Sequence, residues 1–169
     1  SSAASDVYKR QILFIGFTLT GCLDPMELAN GSSQVYWISK SKSEKIPIRM
    51  MESVNNYRIE NNLRQITLSE ELSKVAREHS KDMYDQDRAW HFGSDGSSPF
   101  ERVARSGFSG QLVGENISES FESDLDTLDA WMQSSETRSI ILSQQAGFMG
   151  ISWYQAEDGK IWWTQIFAK

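Results

Sequence analysis

Residues 112–117 have the sequence Leu-Val-Gly-Glu-Asn-Ile, in which a carboxylate and an amide interrupt an apolar run. Glu115 is not expected in a strand that is simply buried, because an ionised group is costly to bury without a partner. An isolated histidine, His91, and a short segment with the signals of a capped helix precede this stretch. Titratable groups beside a buried strand are typical of a cleft, so we predict a site that contains His91 and Glu115.

The segment between these two residues is predicted to contain a short helix. Ser98-Pro99-Phe100-Glu101 combines a capping serine, a proline in the first turn and a glutamate three residues after the cap. Gly107 is placed to end this helix, because glycine is common just beyond a helix C-terminus.

Two longer helices are predicted before it. One follows Pro47 and ends near residues 60–62, and the next starts at Ser69, or at Thr67 if Thr67 and Glu70 form a capping box. The buried positions of the second helix step by three and four residues: Leu72, Val75, Ala76, His79 and Met83. On such an apolar stripe, a histidine with satisfied hydrogen bonds in the core is commoner than a ligand.

A further helix is predicted over residues 123–134. Its inward side chains are expected to be Leu125, Leu128, Trp131 and Met132, and its outward ones Asp124, Asp126 and Asp129. Negative charge stabilises a helix N-terminus, so we interpret this acidic cluster as a solvated helix end rather than as a metal site.

The C-terminal region changes to an alternating pattern, which predicts a β-hairpin around the turn at residues 157–159. Apolar residues alternate on both sides of this turn: Met149, Ile151 and Trp153, then Ile161, Trp163 and Phe167. Trp162 and Trp163 must face opposite sides of the sheet, and helices on both sides would bury both. The order of helices, a strand near residues 112–118, a helix and a hairpin predicts an α+β sandwich.

The N-terminal region has the layout of a signal peptide. Lys9 and Arg10 precede an apolar run at residues 12–19, which is shorter than the roughly 20 residues that a membrane-spanning helix needs. Leu19-Thr20-Gly21-Cys22 resembles the bacterial lipobox, whose cysteine is acylated and becomes the new N-terminus. We predict a signal peptide over residues 1–21, with the true start outside this sequence, and lipidation at Cys22. The alternative is a buried free cysteine in a first strand.

Residues 22–47 are predicted to be the lipidated cysteine and a tether, because serines and a Lys-Ser alternation dominate them. The alternative for residues 35–38 is an extra strand packed on the folded domain, which is predicted to occupy residues 48–169. The protein is then expected to be exported and to lie in the cell envelope, attached to a membrane by its lipid without spanning it.

The composition indicates one globular domain: the chain has 169 residues, of which 39% are hydrophobic and 11% aromatic. The net charge of -6 comes from scattered acidic residues, so nucleic acid is excluded as a partner. A single cysteine is present, so the core must stabilise the domain without a disulfide.

Many of these residues form an ordered set between residues 50 and 167. Besides His91 and Gly114-Glu115-Asn116-Ile117, the set contains Asn55, Arg58, Leu72, Ala76, His79, Arg102, Gly107, Trp131, Ser134, Gly150 and residues 163–167. This set resembles the CAP superfamily, which comprises the cysteine-rich secretory proteins, antigen 5 and the pathogenesis-related 1 proteins. Without disulfides, the chain is similar to the bacterial, SCP-like branch. The resemblance implies a three-layer α-β-α sandwich with a central antiparallel sheet and a large cleft.

The resemblance also implies where a metal site would lie. In family members that bind metal, two histidines hold the ion and two glutamates line the same cleft. His91 matches the first histidine and Glu115 the first glutamate, whereas Thr137 stands where the second histidine is expected. Ser134 stands where animal and plant members carry the second glutamate, and serine there is normal for bacterial members.

The threonine weakens the case for a metal, because zinc usually takes three or four protein ligands. His91 with a carboxylate and water would bind zinc only weakly. His79 could replace the missing ligand only by pointing out of its helix stripe, and Glu136 could offer a carboxylate one position early. We expect no cofactor and no tightly bound metal.

Two functions remain open from the sequence. The missing histidine, the anchor and the tether favour a non-enzymatic envelope lipoprotein that binds another component, such as a lipid, a glycan or a protein. The alternative is a hydrolase in which Glu115 and His91 act as general base and acid, with Ser134 near them. Acid–base catalysis requires hydrogen-bond reach and a matched pKa, which the structure must supply.

Overall fold

The computed structural model describes residues 35–169, so the predicted signal peptide, Cys22 and the first part of the tether lie outside the described residues. Within this range the elements are α1 (Lys40–Glu60), β1 (Thr67–Leu68), α2 (Glu70–Asp85), α3 (Pro99–Arg105), β2 (Leu112–Ser120), α4 (Asp124–Gln133), α5 (Ser135–Ile141), β3 (Phe148–Gln155) and β4 (Ile161–Ala168).

Helix α1 begins earlier than the sequence predicted. Ser39 caps it by accepting a hydrogen bond from the Lys42 amide (3.3 Å), and Pro47 lies inside the helix. The prediction that residues 40–47 belong to a tether is therefore wrong. Ile46 and Met50 are fully buried, and this packing outweighs the weak helix propensity of the Lys-Ser alternation.

Residues 35–39 form no strand, so the alternative of an extra strand is also wrong. They nevertheless contact the domain, through the side chain of Gln155. Its Nε2 donates to the Tyr36 carbonyl (2.8 Å), and its Oε1 accepts from the Ile38 amide (3.0 Å). The segment thus enters α1 from a fixed position beside the end of β3.

The helix caps predicted from the sequence are confirmed. Ser69 accepts from the Leu72 amide (3.2 Å) at the start of α2. At the start of α3, Ser98 Oγ accepts from the Glu101 amide (3.3 Å), and the Glu101 carboxylate accepts from the Ser98 amide (2.8 Å). Gly107 follows α3 with a φ of 85°, a conformation that glycine adopts at low cost.

The sheet has the order β1-β3-β4-β2. β3 and β4 form the predicted antiparallel hairpin, and β2 pairs antiparallel with β4. The central antiparallel sheet is thus confirmed for the three long strands, while the two-residue β1 runs parallel to β3 at one edge.

Helices cover both faces of this sheet. Side chains of α1, α4 and α5 pack with Met149, Trp163 and Phe167 on one face, whereas α2 and α3 pack with Ile166 and Ala168 on the other. Every residue of β4 is buried, so Trp162 and Trp163 are both covered although they face opposite ways. The predicted three-layer α-β-α sandwich is confirmed.

The outward orientation predicted for Asp124 is wrong. Asp124 is fully buried and accepts from Arg49 of α1 at both oxygens, from Nη2 at 2.6 Å and from Nε at 2.9 Å. Leu125, predicted to face inward, is 37% exposed. The bidentate ion pair with Arg49 of α1 compensates the cost of burying the Asp124 carboxylate. In the first turn of α4, Asp124 therefore faces the core and Leu125 faces solvent, which is the reverse of the prediction.

Arg58 is the largest charged side chain in the core and is fully buried. It donates to four backbone carbonyls: Arg64 (2.8 Å), Ile141 (2.7 Å), Ser143 (3.0 Å) and Ala146 (3.1 Å). Nearby, the Asn55 side chain makes two hydrogen bonds with the backbone of Ile66: it accepts from the amide (2.8 Å) and donates to the carbonyl (3.0 Å). These two motif residues of α1 therefore fix the loop before β1 and the connection from α5 into β3.

Replacing Arg58 by methionine should lower the free energy of unfolding by about 3–5 kcal/mol, because several buried carbonyls lose their donor. Arg58→Lys should restore little of this, since one ammonium lacks the planar fork that reaches several acceptors. Urea denaturation measures the effect, with exposed Arg64→Met as a control that changes stability by no more than about 0.5 kcal/mol. A loss below about 1 kcal/mol in Arg58→Met would contradict this role.

Candidate functional site

The predicted site residues come from different elements. His91 lies in the loop between α2 and α3, and Glu115 lies on β2, at the face of the sheet that α2 and α3 cover. The structure places His91 Nδ1 2.9 Å from Glu115 Oε1. The His91 side chain is 50% exposed, whereas that of Glu115 is 1% exposed. The two residues predicted as a pair are thus in contact, with the carboxylate buried and the imidazole at the surface.

Arg102 of α3 is the strongest partner of Glu115. Its Nη2 donates to both carboxylate oxygens, at 3.0 Å to Oε1 and 2.8 Å to Oε2. Its Nη1 donates to the carbonyls of His91 and Ser97, both at 2.9 Å. Arg102 therefore neutralises the buried carboxylate and holds the loop that carries His91 at two points, His91 itself and Ser97.

Sequence reasoning did not select Arg102 as a site residue. The sequence did indicate this residue in two ways. A carboxylate on a buried strand requires a cationic partner, and Arg102 lies in the short capped helix between His91 and Glu115.

His79 of α2 completes the cluster and is almost fully buried. Its Nε2 lies 3.0 Å from the Trp90 carbonyl and 3.7 Å from Glu115 Oε1, so the proton on Nε2 is donated to the carbonyl. Its Nδ1 is buried and has no hydrogen-bond partner among residues 35–169. Burial lowers the pKa of His79, an effect that Glu115 opposes and Arg102 reinforces, so the imidazole is neutral near pH 7.

Other motif residues lie on the opposite side of β2, because successive side chains of a strand alternate. Asn116 Nδ2 donates to the Thr137 carbonyl (3.3 Å) and to Gln165 Oε1 (3.2 Å). A Cβ on Gly114 would lie only 2.8 Å from Ile140 Cγ2, so this glycine allows α5 to approach the strand. Trp131 Nε1 donates to the Ile117 carbonyl (3.1 Å).

Thr137 and Ser134 lie at α5, which packs beside β2. The backbone of Thr137 contacts the α5 side of β2, and its hydroxyl donates to the Trp131 carbonyl. Ser134 is exposed at the junction of α4 and α5. No hydrogen bond within residues 35–169 joins either residue to His91 or Glu115, and the expectation that positions 134 and 137 line one cleft with them stays a prediction.

A metal ion does not fit the cluster as it stands. Both oxygens of Glu115 are occupied by Arg102, and a cation there would lie against the guanidinium. Within residues 35–169, no group of three or more His, Cys, Asp or Glu side chains is arranged to hold a metal.

A cavity of about 480 Å³ lies beside Arg102 and His79. Serines and charged residues of both signs line it, the charged ones being Lys74, Glu78, Asp82, Asp95, Arg102 and Arg105. Hydrogen bonds from Ser97, together with Arg105 at 3.3 Å, lower the pKa of Asp95 to about 2. At neutral pH both positively and negatively charged side chains therefore line the cavity. Such a lining suits a polar ligand better than an apolar one.

The described part of the chain, residues 35–169, contains no helix with the length and apolar character that crossing a membrane requires.

An α-β-α sandwich with a buried histidine and glutamate and a largely buried arginine at one face of its sheet defines a small α+β domain with a polar cavity. The family model described as the Cysteine-rich secretory protein family, or CAP, matches residues 51–167. The chain belongs to this family, which confirms the resemblance inferred from its sequence.

Three similar proteins come from bacteria. The chain is 31% identical to protein YkwD of Bacillus subtilis (strain 168) over 121 residues, which cover 72% of this chain and 46% of YkwD. An extracellular protein containing an SCP domain from Bacillus anthracis str. Ames is 25% identical, with a TM-score of 0.66 over 79% of this chain and 45% of that protein. An outer surface protein from Borrelia burgdorferi is 19% identical, with a TM-score of 0.69 over 79% of this chain and 97% of that protein. The chain thus spans less than half the length of the first two proteins.

The buried, neutral His79 should make stability depend on pH. Because its pKa is lowered in the folded state, the unfolded chain binds the extra proton. Stability should be full above about pH 7 and should fall as the pH drops through about 6.5, with a slope of at most about 1.4 kcal/mol per pH unit.

Urea unfolding at a series of pH values between about 5 and 7.5 measures this slope, in a range where ordinary carboxyl groups contribute little. His79→Gln should flatten it. His91→Gln, which removes the other histidine of the chain, serves as the control. A slope that persists in His79→Gln and disappears in His91→Gln would contradict the assignment.

Proposed function

We propose that this chain is an exported CAP-domain lipoprotein, anchored to a membrane through Cys22, which binds another envelope component and catalyses no reaction. The observation that carries the proposal is the contact of Arg102 with both oxygens of the buried Glu115. It supports a structural role for a residue that a hydrolase would need as a base.

A general base must accept a proton from a bound reactant, within hydrogen-bond reach and with a pKa suited to the transfer. Glu115 is 1% exposed, so no reactant reaches it without displacing Arg102 or His91. Removing Arg102 from the carboxylate would leave a buried charge without compensation, which costs several kcal/mol. These contacts favour a fixed ion pair over a proton-transfer group.

Binding would use the cavity beside Arg102, together with the exposed edge of His91. The lining of three basic and three acidic side chains supports a ligand with both hydrogen-bond donors and acceptors, such as a glycan or a protein segment. A lipid chain would leave these charges desolvated, so the cavity does not favour it.

Two observations support export and anchoring. Residues 9–22 have the layout of a lipoprotein signal peptide, and the similar proteins from B. anthracis and B. burgdorferi are described as extracellular and as outer-surface proteins. A lipidated Cys22 would precede the described domain by twelve residues, which is long enough to serve as a short tether.

The second candidate function is a hydrolase with Glu115 as base and His91 as acid. The specific observation in its favour is the 2.9 Å contact of His91 Nδ1 with Glu115 Oε1. A histidine oriented by a carboxylate and half open to solvent is a common arrangement in acid–base catalysis.

Complementation of a strain that lacks the protein separates the two functions. Glu115→Gln keeps the shape of the side chain but cannot act as a base, and it should still complement at a temperature where the variant is folded. We expect it to be less stable by about 2–4 kcal/mol, because Arg102 loses its counter-charge. Complementation should therefore follow the amount of folded protein.

The control for loss of a carboxylate is Glu119→Gln on the same strand, whose partner Lys160 lies at the surface. The hydrolase would be supported instead if Glu115→Gln and His91→Gln both failed to complement while circular dichroism showed both variants folded at normal amounts.

Fractionation tests the anchor. In the wild type the protein should sediment with membranes and partition into detergent, because the acyl chains of a lipoprotein anchor it stably. Cys22→Ser should move it to the soluble fraction or leave it unprocessed and larger on a gel. A mature-sized Cys22→Ser protein that stays in the detergent phase would exclude the lipid anchor.

A further inference from the structure

The edge of the sheet at β3 is only partly covered. β1 has two residues and pairs with Phe148 and Met149, whereas β3 continues to Gln155. At the far end, the Gln155 side chain contacts the backbone of Tyr36 and Ile38. The strand between these points, residues 150–154, has no neighbouring strand on this side among residues 35–169.

The register shows which backbone groups point to this open edge. The Ala156 amide donates to the Lys160 carbonyl (2.8 Å), so even-numbered residues of β3 bond to β4 and odd-numbered ones face away. In agreement, the Met149 carbonyl accepts from Ser69 of the neighbouring segment, and the Ile151 amide donates to Ser73 Oγ (3.4 Å). The Ile151 carbonyl and both backbone groups of Trp153 remain open within the described range.

These open groups lie in a groove of about 540 Å³ between the two helical layers. Ser43 and Pro47 of α1 form one wall and Trp153 lies at the base. Glu70, Ser73 and Arg77 of α2 form the other wall. The groove continues the sheet layer outward, which is the position that an added strand would occupy.

Sheet edges are normally protected by charge, by proline, by a bulge or by a covering element. The opposite edge, β2, has such features: a register shift between Leu112 and Gly114, and the charged Glu119 paired with Lys160. The open part of β3, Gly150-Ile151-Ser152-Trp153-Tyr154, contains no charge and no proline, and its pairing with β4 is regular. An unprotected edge made of residues that favour strands is a template for pairing with another chain.

We propose that this groove binds an extended segment of a partner protein, which adds a strand to β3 and presents an acidic side chain to Arg77. A row of alternating backbone donors and acceptors is complemented by another extended backbone. Arg77 is exposed and makes no ion pair with any other residue in the range 35–169, and it lies in the groove wall. Glu70, the other charged residue of the groove, lies about two helical turns away at the end of the groove near β1, so an acidic side chain of the occupant is complementary to the Arg77 end. The site lies apart from the cavity beside Arg102 and does not depend on the proposed function.

Amide hydrogen exchange of the chain from residue 22, carrying Cys22→Ser, tests the open edge. The Trp153 amide should exchange rapidly in the free protein, whereas those of Ser152 and Tyr154, which bond to β4, should exchange slowly. If the Trp153 amide is already protected in dilute protein, residues 22–34 or another part of the chain cover the edge, and the proposal fails. If protection appears only as the protein concentration rises, the occupant is a second copy, which also overturns it.

The partner is tested with a random decapeptide library displayed on phage, followed by synthesis of the enriched peptides. Bound peptides should contain an acidic residue in an alternating, β-prone sequence and should slow exchange at Trp153. Arg77→Glu should weaken their binding about tenfold through like-charge repulsion. Ser43→Trp should abolish binding by filling the groove.

Matched controls are Lys45→Glu, an exposed position of α1 that lines neither this groove nor the cavity beside Arg102, and Ser41→Trp, an exposed position in the first turn of α1 outside the groove. Both should bind peptide normally. The proposal is overturned if no peptide is enriched, or if peptide binding is insensitive to Ser43→Trp.

Discussion

The buried guanidinium of Arg58 is the interaction on which the rest of the sandwich depends. It reaches from α1 to carbonyls of two separate connections, the one before β1 and the one that runs from the end of α5 into β3. Burial lowers the pKa of Arg58, and Arg64 adds to this, but an arginine stays protonated in proteins. No carboxylate neutralises it among residues 35–169, so the carbonyls alone compensate the desolvation of the charge. The connections must therefore keep their positions for the charge to remain buried.

Arg102 repeats this arrangement on the other face of the sheet, with one difference that bears on function. Part of its fork holds backbone carbonyls of a loop, as Arg58 does, but the rest binds the carboxylate of Glu115. The pair of Arg102 and Glu115 is thus largely buried and held by several hydrogen bonds, which are the properties of a structural ion pair. The group left available to a ligand is the exposed edge of His91, since its Nδ1 is already in contact with Glu115.

Local signals in the sequence were sufficient for most of the fold. The caps at Ser69 and Ser98 and the hairpin are encoded by neighbouring residues, so they could be predicted without knowledge of the packing. The start of α1 and the burial of Asp124 could not, because each depends on a distant partner: the core for Ile46 and Arg49 for the carboxylate. For the candidate site, the pairing of His91 with Glu115 was accessible from the motif, whereas its dominant contact, with Arg102, depends on the tertiary structure.

The alternation of side chains along β2 explains why the Gly-Glu-Asn-Ile motif identifies the fold without implying chemistry. Glu115 points to α2 and α3 and binds Arg102, while Asn116 points to the other layer and donates to the backbone of α5. Gly114 allows close approach of α5, and the Ile117 carbonyl accepts from Trp131 of α4. Four consecutive residues therefore connect the strand to helices on both sides. A domain that needs both helical layers would keep this sequence whether or not its cleft catalyses a reaction, and the presence of the motif alone is no argument for an enzyme.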